Sequence, residues 1–216
     1  MTRTLFPFAR AHAGPFLGAH LGDSALADDL SRLREENAAD RVESADAPGW
    51  GSGSAPEVLA YVQWLMDRDR KSPGLKGLQG RIWEEGYRSG ALHGELYDEV
   101  PAALRRWRDE SRRIAIFSSG SVLAQQLLFR YSLAGDLTPL LVGHFDTTTG
   151  AKRDPNSYLR IAERLGVAPS AVLFVSDSAL ELDAARIAGM ETALSARDVA
   201  PAHSSHRVVP SFDGLP

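Results

Sequence analysis

The 216-residue chain contains no cysteine, which excludes disulfide bonds, thiolate nucleophiles and cysteine-ligated zinc sites. It also lacks an apolar stretch long enough to cross a bilayer, and its first residues lack the apolar run of a signal peptide. Basic residues are not in excess. The 24 Lys and Arg against 28 Asp and Glu give a net charge of −4, which argues against nucleic-acid and membrane partners. We therefore expect a soluble, intracellular protein, and the absence of cysteine fits a reducing cytoplasm.

The first part of the chain, residues 1 to about 95, has no convincing strand pattern. Helices are predicted from near Pro7 to residue 21, from Ser24 onward, across an apolar face at Val58, Val62 and Leu65, and over 75–89. A Gly-, Ser- and Pro-rich stretch at 47–56 predicts a flexible loop. The pattern indicates a helical domain.

The second part, residues 96–216, alternates helical periods with short apolar runs. The predicted strands are 114–117, 140–145, 172–175 and 192–194, separated by amphipathic helices. Short apolar strands alternating with helices are typical of a doubly wound parallel α/β sheet covered on both faces. The region after residue 200 is rich in Pro, His and Ser and is predicted to be irregular.

The first polar cluster, Ser118-Ser119-Gly120-Ser121, stands between the predicted strand 114–117 and a helix. Ligands of doubly wound sheets bind at the carboxyl ends of strands, and free N–H groups at a helix start attract an anion. A phosphate site is one interpretation. The other is that Ser119 or Ser121 only caps the helix.

The second cluster is centred on Lys152, in the loop before a helix that begins near Pro155. A lysine there can neutralise a phosphate and keep a neighbouring carboxylate ionised. A solvated surface lysine is the alternative, and Arg153 is the rival candidate.

The third cluster is centred on Asp177, which follows the strand 172–175. A carboxylate at the tip of a buried strand suits Mg²⁺, which prefers oxygen donors. Glu181, four residues later, is on the same side of a helix. The alternative is capping by Asp177 or Ser178, with Glu181 and Asp183 as solvated acids of the first turn. We expect Asp183 to be structural.

The order of the three clusters is more informative than any one of them. An anion site, a lysine and a carboxylate at successive strand ends are the groups that Mg²⁺-dependent phosphoryl transfer needs.

The same order resembles motifs two, three and four of the haloacid dehalogenase (HAD) superfamily, and the surrounding blocks are more specific. Residues 75–90 (with Leu-Gln-Gly), 116–122 followed by Ala124-Gln125, and 143–147 (Gly-His-Phe-Asp-Thr) resemble the enolase-phosphatase (acireductone synthase) family. So do 5–10 and Val100-Pro-Ala with Trp107. The resemblance extends from about residue 5 to residue 189.

The resemblance implies a HAD-like α/β core at 96–216 and a helical cap domain at 1–95. It implies a monomeric methionine-salvage enzyme that enolises 2,3-diketo-5-methylthiopentyl-1-phosphate and then removes its phosphate to give the acireductone. Ser118 and Ser119 correspond to the serines that bind the substrate phosphate, Lys152 to the motif-three lysine, and Asp177 to a ligand of the Mg²⁺ cofactor.

Members of that family begin with a strand that ends in Asp-x-Glu-Gly-Thr, whose aspartate is the nucleophile and whose glutamate is the general acid/base. The chain contains no such motif, so the resemblance places both catalytic carboxylates upstream of Met1. Because this strand is the first and central one of the HAD sheet, its neighbours are expected to have unpaired edges. A late start codon or a shortened chain is the expected cause. The alternatives are a catalytically dead phosphate-binding protein and a HAD phosphatase for another small phosphate ester.

Overall fold

The computed structural model describes residues 2–197 and 203–216. They form two compact units, Met1–His93 and Gly94–Pro216. In the part of the chain that is described, no helix is long and apolar enough to span a membrane.

The first unit is built from helices, and its described residues contain no strand, as the sequence predicted. The helices are α1 (Thr2–His20), α2 (Ala27–Glu43), α3 (Ala55–Asp67) and α4 (Pro73–Arg88). Helix α1 packs against α3 and α4, and α2 packs against α4.

Helix α1 begins earlier than the sequence predicted. It was expected from near Pro7, but it starts at Thr2 and continues through Pro7 and Pro15. Each proline removes a backbone donor and normally weakens a helix interior. The apolar face of α1 compensates for this loss, because residues at four-residue spacing are buried along it: Leu5, Ala9, Ala13 and Leu17.

The predicted loop at 47–56 ends two residues early, because the start of α3 is capped. Ser54 and Glu57 form a capping box in which each side chain bonds the other residue's backbone N–H. Pro56 in the first turn of α3 costs no hydrogen bond, since the N–H groups there lack helical partners.

The second unit is α/β, with every strand pairing parallel, so the predicted fold class is confirmed. Its helices are α5 (Glu99–Asp109), α6 (Val122–Arg130), α7 (Pro155–Leu165) and α8 (Ala179–Ile187). Its strands are β1 (Ile114–Phe117), β2 (Leu141–Phe145), β3 (Leu173–Ser176), β4 (Glu191–Ser195) and β5 (Arg207–Val209).

The strands are divided between two separate sheets. Among the described residues, β1 pairs with β2 alone, and β3 pairs with β4, which in turn pairs with β5. All residues of β1 and β3 are only half-buried, whereas Ala193 and Leu194 of β4 are buried. Parallel strands as apolar as β1 and the first three residues of β3 are normally covered on both faces. Within the described residues, β1 and β3 therefore each have one unpaired edge.

The prediction of irregular structure after residue 200 is wrong in part. Residues 201 and 202 lie outside the described residues, but Arg207–Val209 forms β5 on the free side of β4. Val209 is buried there with Ala193 and Leu215. A run of three residues is too short to show the alternation by which a strand is recognised in a sequence. Pairing with β4 is what makes Arg207–Val209 a strand.

Candidate functional site

The loop after β1 is fixed to the end of β2. The backbone N–H of Ser118 donates to the carbonyl oxygen of Phe145 at 3.0 Å. Within the loop, the N–H of Gly120 donates to Ser118 Oγ at 3.1 Å. Ser118 is half-buried and Ser119 is exposed, so the two residues predicted to bind phosphate lie at the carboxyl end of β1, beside the start of α6.

Ser121 has the capping role that the sequence left open. It is the N-cap of α6, and its Oγ accepts from the N–H of Ala124 at 3.2 Å. Because Ser121 satisfies the helix start, Ser119 is not needed as a cap.

The loop that carries Lys152 is held in place by the helix that follows it. Asp154 caps α7 by accepting from the N–H of Asn156 at 3.0 Å. The fully buried Ser157 donates to the carbonyl of Ala151 at 2.8 Å. Tyr158 donates its hydroxyl hydrogen to the carbonyl of Lys152 at 2.6 Å. These bonds fix the backbone at Lys152 and therefore the direction in which its side chain leaves the loop, toward Glu181.

Lys152 is not a solvated surface lysine. Its Nζ lies 2.6 Å from Glu181 Oε2, and only 25% of its side chain is exposed. The rival Arg153 is exposed. Of Lys152 and Arg153, it is therefore Lys152 whose side chain points into the fold.

Glu181 is the residue whose role the sequence did not resolve. It lies in the first turn of α8, but it is not a solvated acid, since only 16% of its side chain is exposed. Its Oε2 accepts from Ser176 Oγ at 2.8 Å as well as from Lys152. Burial raises the pKa of the neighbouring Tyr158, and the negative charge of Glu181 raises it further. Nothing in the local sequence indicates this pairing, because the two partners are 29 residues apart.

Asp177 follows β3 and precedes the N-cap Ser178 of α8. Ser178 makes no side-chain capping bond, and the Asp177 carboxylate is exposed, without a hydrogen-bond or ion-pair partner in the part of the chain that the structure describes. A free carboxylate at this position fits an Mg²⁺ ligand. No group of three or more potential metal ligands occurs among the described residues, so the fit rests on Asp177 alone. Asp183 pairs with Arg186 at 2.7 Å, in keeping with a structural role.

The ends of β1 and β3 meet around Lys152 and Tyr158. The Lys152 Nζ lies 5.7 Å from the centroid of the Phe117 ring at the end of β1. Tyr158 contacts both Phe117 and Phe174 of β3, with centroids 5.7 and 4.9 Å apart. Lys152 therefore lies near Phe117, the last residue of β1, and is connected through Glu181 to Ser176, the last residue of β3.

One carboxylate pair in the sequence resembles a nucleophile motif of other HAD enzymes but lies elsewhere. Asp67-Arg68-Asp69 is the only Asp-x-Asp of the chain. It closes α3 in the helical unit, and Asp67 pairs with Arg10 at 2.7 Å. These carboxylates therefore lie at the end of a helix and not at the end of a strand.

Known proteins resemble the chain over most of its length. A model of the family described as haloacid dehalogenase-like hydrolase matches residues 33–189. Enolase-phosphatase E1 of Synechococcus elongatus is 52% identical over 195 residues, which are 90% of this chain and 81% of that protein. The protein of the same name from Serratia proteamaculans is 44% identical over 213 residues, covering 99% and 88%.

The fold comparison agrees with the sequence comparison. The crystal structure of the UTR4 protein of Saccharomyces cerevisiae matches with a TM-score of 0.81 at 31% identity, covering 99% of this chain and 92% of that one. A match this extensive includes both units and the motif blocks. The chain therefore belongs to the enolase-phosphatase family of the haloacid dehalogenase-like hydrolases.

Proposed function

We propose that the protein is a Mg²⁺-dependent enolase-phosphatase that acts on 2,3-diketo-5-methylthiopentyl-1-phosphate, and that the 216 residues provide its phosphate site and its cap. The observation that carries the proposal is the placement of Lys152, near Phe117 at the end of β1 and connected through Glu181 to the end of β3. The name shared by the curated relatives supports the reaction type. A monomeric, cytoplasmic enzyme of methionine salvage is part of the same proposal.

The proposed phosphate clamp consists of Ser118, Ser119 and Lys152. Hydroxyl groups and first-turn N–H groups at the start of α6 supply donors and the positive end of a helix dipole. Lys152 supplies a positive charge, and its ion pair with Glu181 holds the ammonium in position. The clamp would hold the phosphoryl group in place while its charge changes during transfer.

Asp177 is the residue proposed to hold Mg²⁺. Its free carboxylate is the donor type that this ion prefers. Asp177 directly follows Ser176, which donates to Glu181, the ion-pair partner of Lys152. When bound, Mg²⁺ neutralises charge on the phosphate oxygens.

The substrate assignment comes from the family alone. The proposed clamp concerns only the phosphate group, which every small phosphate ester carries. The first unit, Met1–His93, is proposed as the cap that excludes water from the reaction.

The clamp is tested by binding inorganic phosphate in the presence of Mg²⁺, measured by calorimetry on the 216-residue chain. Lys152→Met should weaken phosphate binding about tenfold or more, because a charge-assisted hydrogen bond contributes ~1.5–3 kcal/mol. Arg153→Met is the matched control, since it removes the neighbouring exposed cation, and it should change binding less than about twofold. Equal effects of the two substitutions would contradict the proposed clamp.

A further inference from the structure

The side chain of Gln125, in α6, is buried with only 2% exposed. A buried amide needs partners for its N–H groups and its oxygen. Its Nε2 donates to the carbonyl of Gly120 at 3.0 Å and to that of Phe145 at 2.9 Å. Gly120 belongs to the loop after β1, and Phe145 is the last residue of β2, so one amide group joins two strand ends.

The same carbonyl of Phe145 also accepts from the backbone N–H of Ser118. The loop is therefore connected to the Phe145 carbonyl in two ways. The backbone N–H of Ser118 donates to it directly, and Gly120 is connected to it through the Gln125 amide. Between these two connections lies Ser119, the exposed residue of the proposed clamp.

The orientation of the Gln125 amide follows from its partners. Because Nε2 faces two carbonyl oxygens, Oε1 is the atom that lies 3.3 Å from His144 Nδ1. An amide oxygen only accepts, so His144 must carry a proton on Nδ1. Burial lowers the pKa of His144, which favours the neutral ring with that single proton. The Ala-Gln and Gly-His-Phe-Asp-Thr blocks of the sequence thus meet in one hydrogen-bonded chain.

We propose that Gln125 is a positioning residue that, together with His144, holds the loop from Ser118 to Ser121 in the shape that receives the substrate phosphate. The inference rests on the proposed function, because it concerns the same phosphate site. Gln125 touches backbone and not phosphate, so it acts through Ser118 and Gly120. Its two donated bonds fix where the donors of the loop point, which is what anion binding depends on.

The experiment compares three variants of the full chain for phosphate binding with Mg²⁺. Gln125→Met keeps the volume but removes the hydrogen bonds, and Gln125→Glu keeps the shape but donates only when protonated. Gln126→Met is the control, since Gln126 is the exposed neighbour on the same helix. Far-UV circular dichroism and urea unfolding confirm that each variant is folded.

Gln125→Met should weaken phosphate binding about tenfold relative to wild type at pH 5.5 and at pH 8, a factor that corresponds to ~1.4 kcal/mol. Gln125→Glu should be at least as weak at pH 8 and should recover part of the loss at pH 5.5, each value being taken relative to wild type at the same pH. Gln126→Met should bind within about twofold of wild type.

Two outcomes would overturn the inference. One is wild-type phosphate binding by Gln125→Met. The other is that Gln125→Met and Gln125→Glu weaken phosphate binding equally at both pH values. That result would show that the packing of the side chain, and not its hydrogen bonds, supports binding. If the wild-type chain binds no phosphate, the proposed function fails instead, and amide hydrogen exchange at 118–120 then decides the inference. Faster exchange in Gln125→Met but not in Gln126→Met supports positioning, and unchanged exchange contradicts it.

Discussion

Gly150, two residues before Lys152, has a backbone conformation that other residues rarely adopt. Its φ is 142°, and a Cβ there would lie 2.2 Å from both Arg160 Nη2 and Ser157 Oγ. Those two side chains hold the loop, through bonds to the carbonyls of Thr149 and Ala151. A methyl group at this position would therefore disturb the loop that aims Lys152.

We expect Gly150→Ala to lower the free energy of unfolding by about 1–3 kcal/mol, because a strained backbone and a steric overlap are combined. Urea unfolding measures the change, and phosphate binding should weaken in parallel. Gly214→Ala is the matched control in the same unit, since a Cβ there meets nothing within 4 Å and its φ is negative. An equally stable Gly150→Ala with full phosphate affinity would show that the loop does not need this conformation.

At the scale of whole strands, the main feature is the open edges of β1 and β3. Backbone N–H groups of a strand point alternately to its two sides, so a strand with one neighbour bonds only every second N–H. Strand β4 has β3 on one side and β5 on the other. The two kinds of strand should therefore differ in how their amides exchange with solvent.

Amide hydrogen exchange measured residue by residue should show continuous protection over Ala193–Ser195 and alternating protection along β1 and β3. The residues of β4 are the internal control, since they lie in the same unit under the same conditions. Continuous protection in β1 and β3 would mean that something covers their edges, such as a second copy of the chain. Sedimentation at two protein concentrations would identify that case.

For the whole molecule, the question is which groups complete the catalytic site. The 216 residues supply the proposed clamp and the free carboxylate of Asp177, but they contain no Asp-x-Glu-Gly-Thr. Covalent phosphoryl transfer needs a nucleophile at the strand ends, and Asp67 and Asp69 lie in the helical unit. We expect the central strand of the family to pair with the edges of β1 and β3 that are unpaired among the described residues.

We expect the 216-residue chain to release no phosphate from the diketone phosphate, and a version extended at its start by a strand ending in Asp-x-Glu-Gly-Thr to do so with Mg²⁺. Phosphate release is measured with the diketone phosphate and with p-nitrophenyl phosphate. The control carries Asn in place of the added Asp and should be inactive.

The results separate the alternatives. Release from p-nitrophenyl phosphate alone would favour a HAD phosphatase for another ester. Phosphate binding without any release, even in the extended chain, would favour a catalytically dead binding protein. If the 216-residue chain itself releases phosphate and Asp177→Ala abolishes that release, the expectation that these residues lack the nucleophile is wrong.

Local patterns in the sequence were enough to predict the helical first part, the parallel α/β second part and the three polar clusters after strands. Each of these depends on residues close together in the chain, such as the apolar run Ile114–Phe117 followed by Ser118. The order of the clusters predicted one phosphoryl-transfer site, and the family resemblance added the expectation of a central strand that carries the catalytic carboxylates.

Only the tertiary structure decided which side chains meet. Lys152 pairs with Glu181, and Gln125 joins Gly120 to Phe145, across separations that no periodicity records. Packing also allows α1 to continue past Pro7 and Pro15, and pairing with β4 makes Arg207–Val209 a strand. In each case the decisive contribution comes from burial and hydrogen bonds between distant segments, which outweigh the local preferences that a sequence expresses.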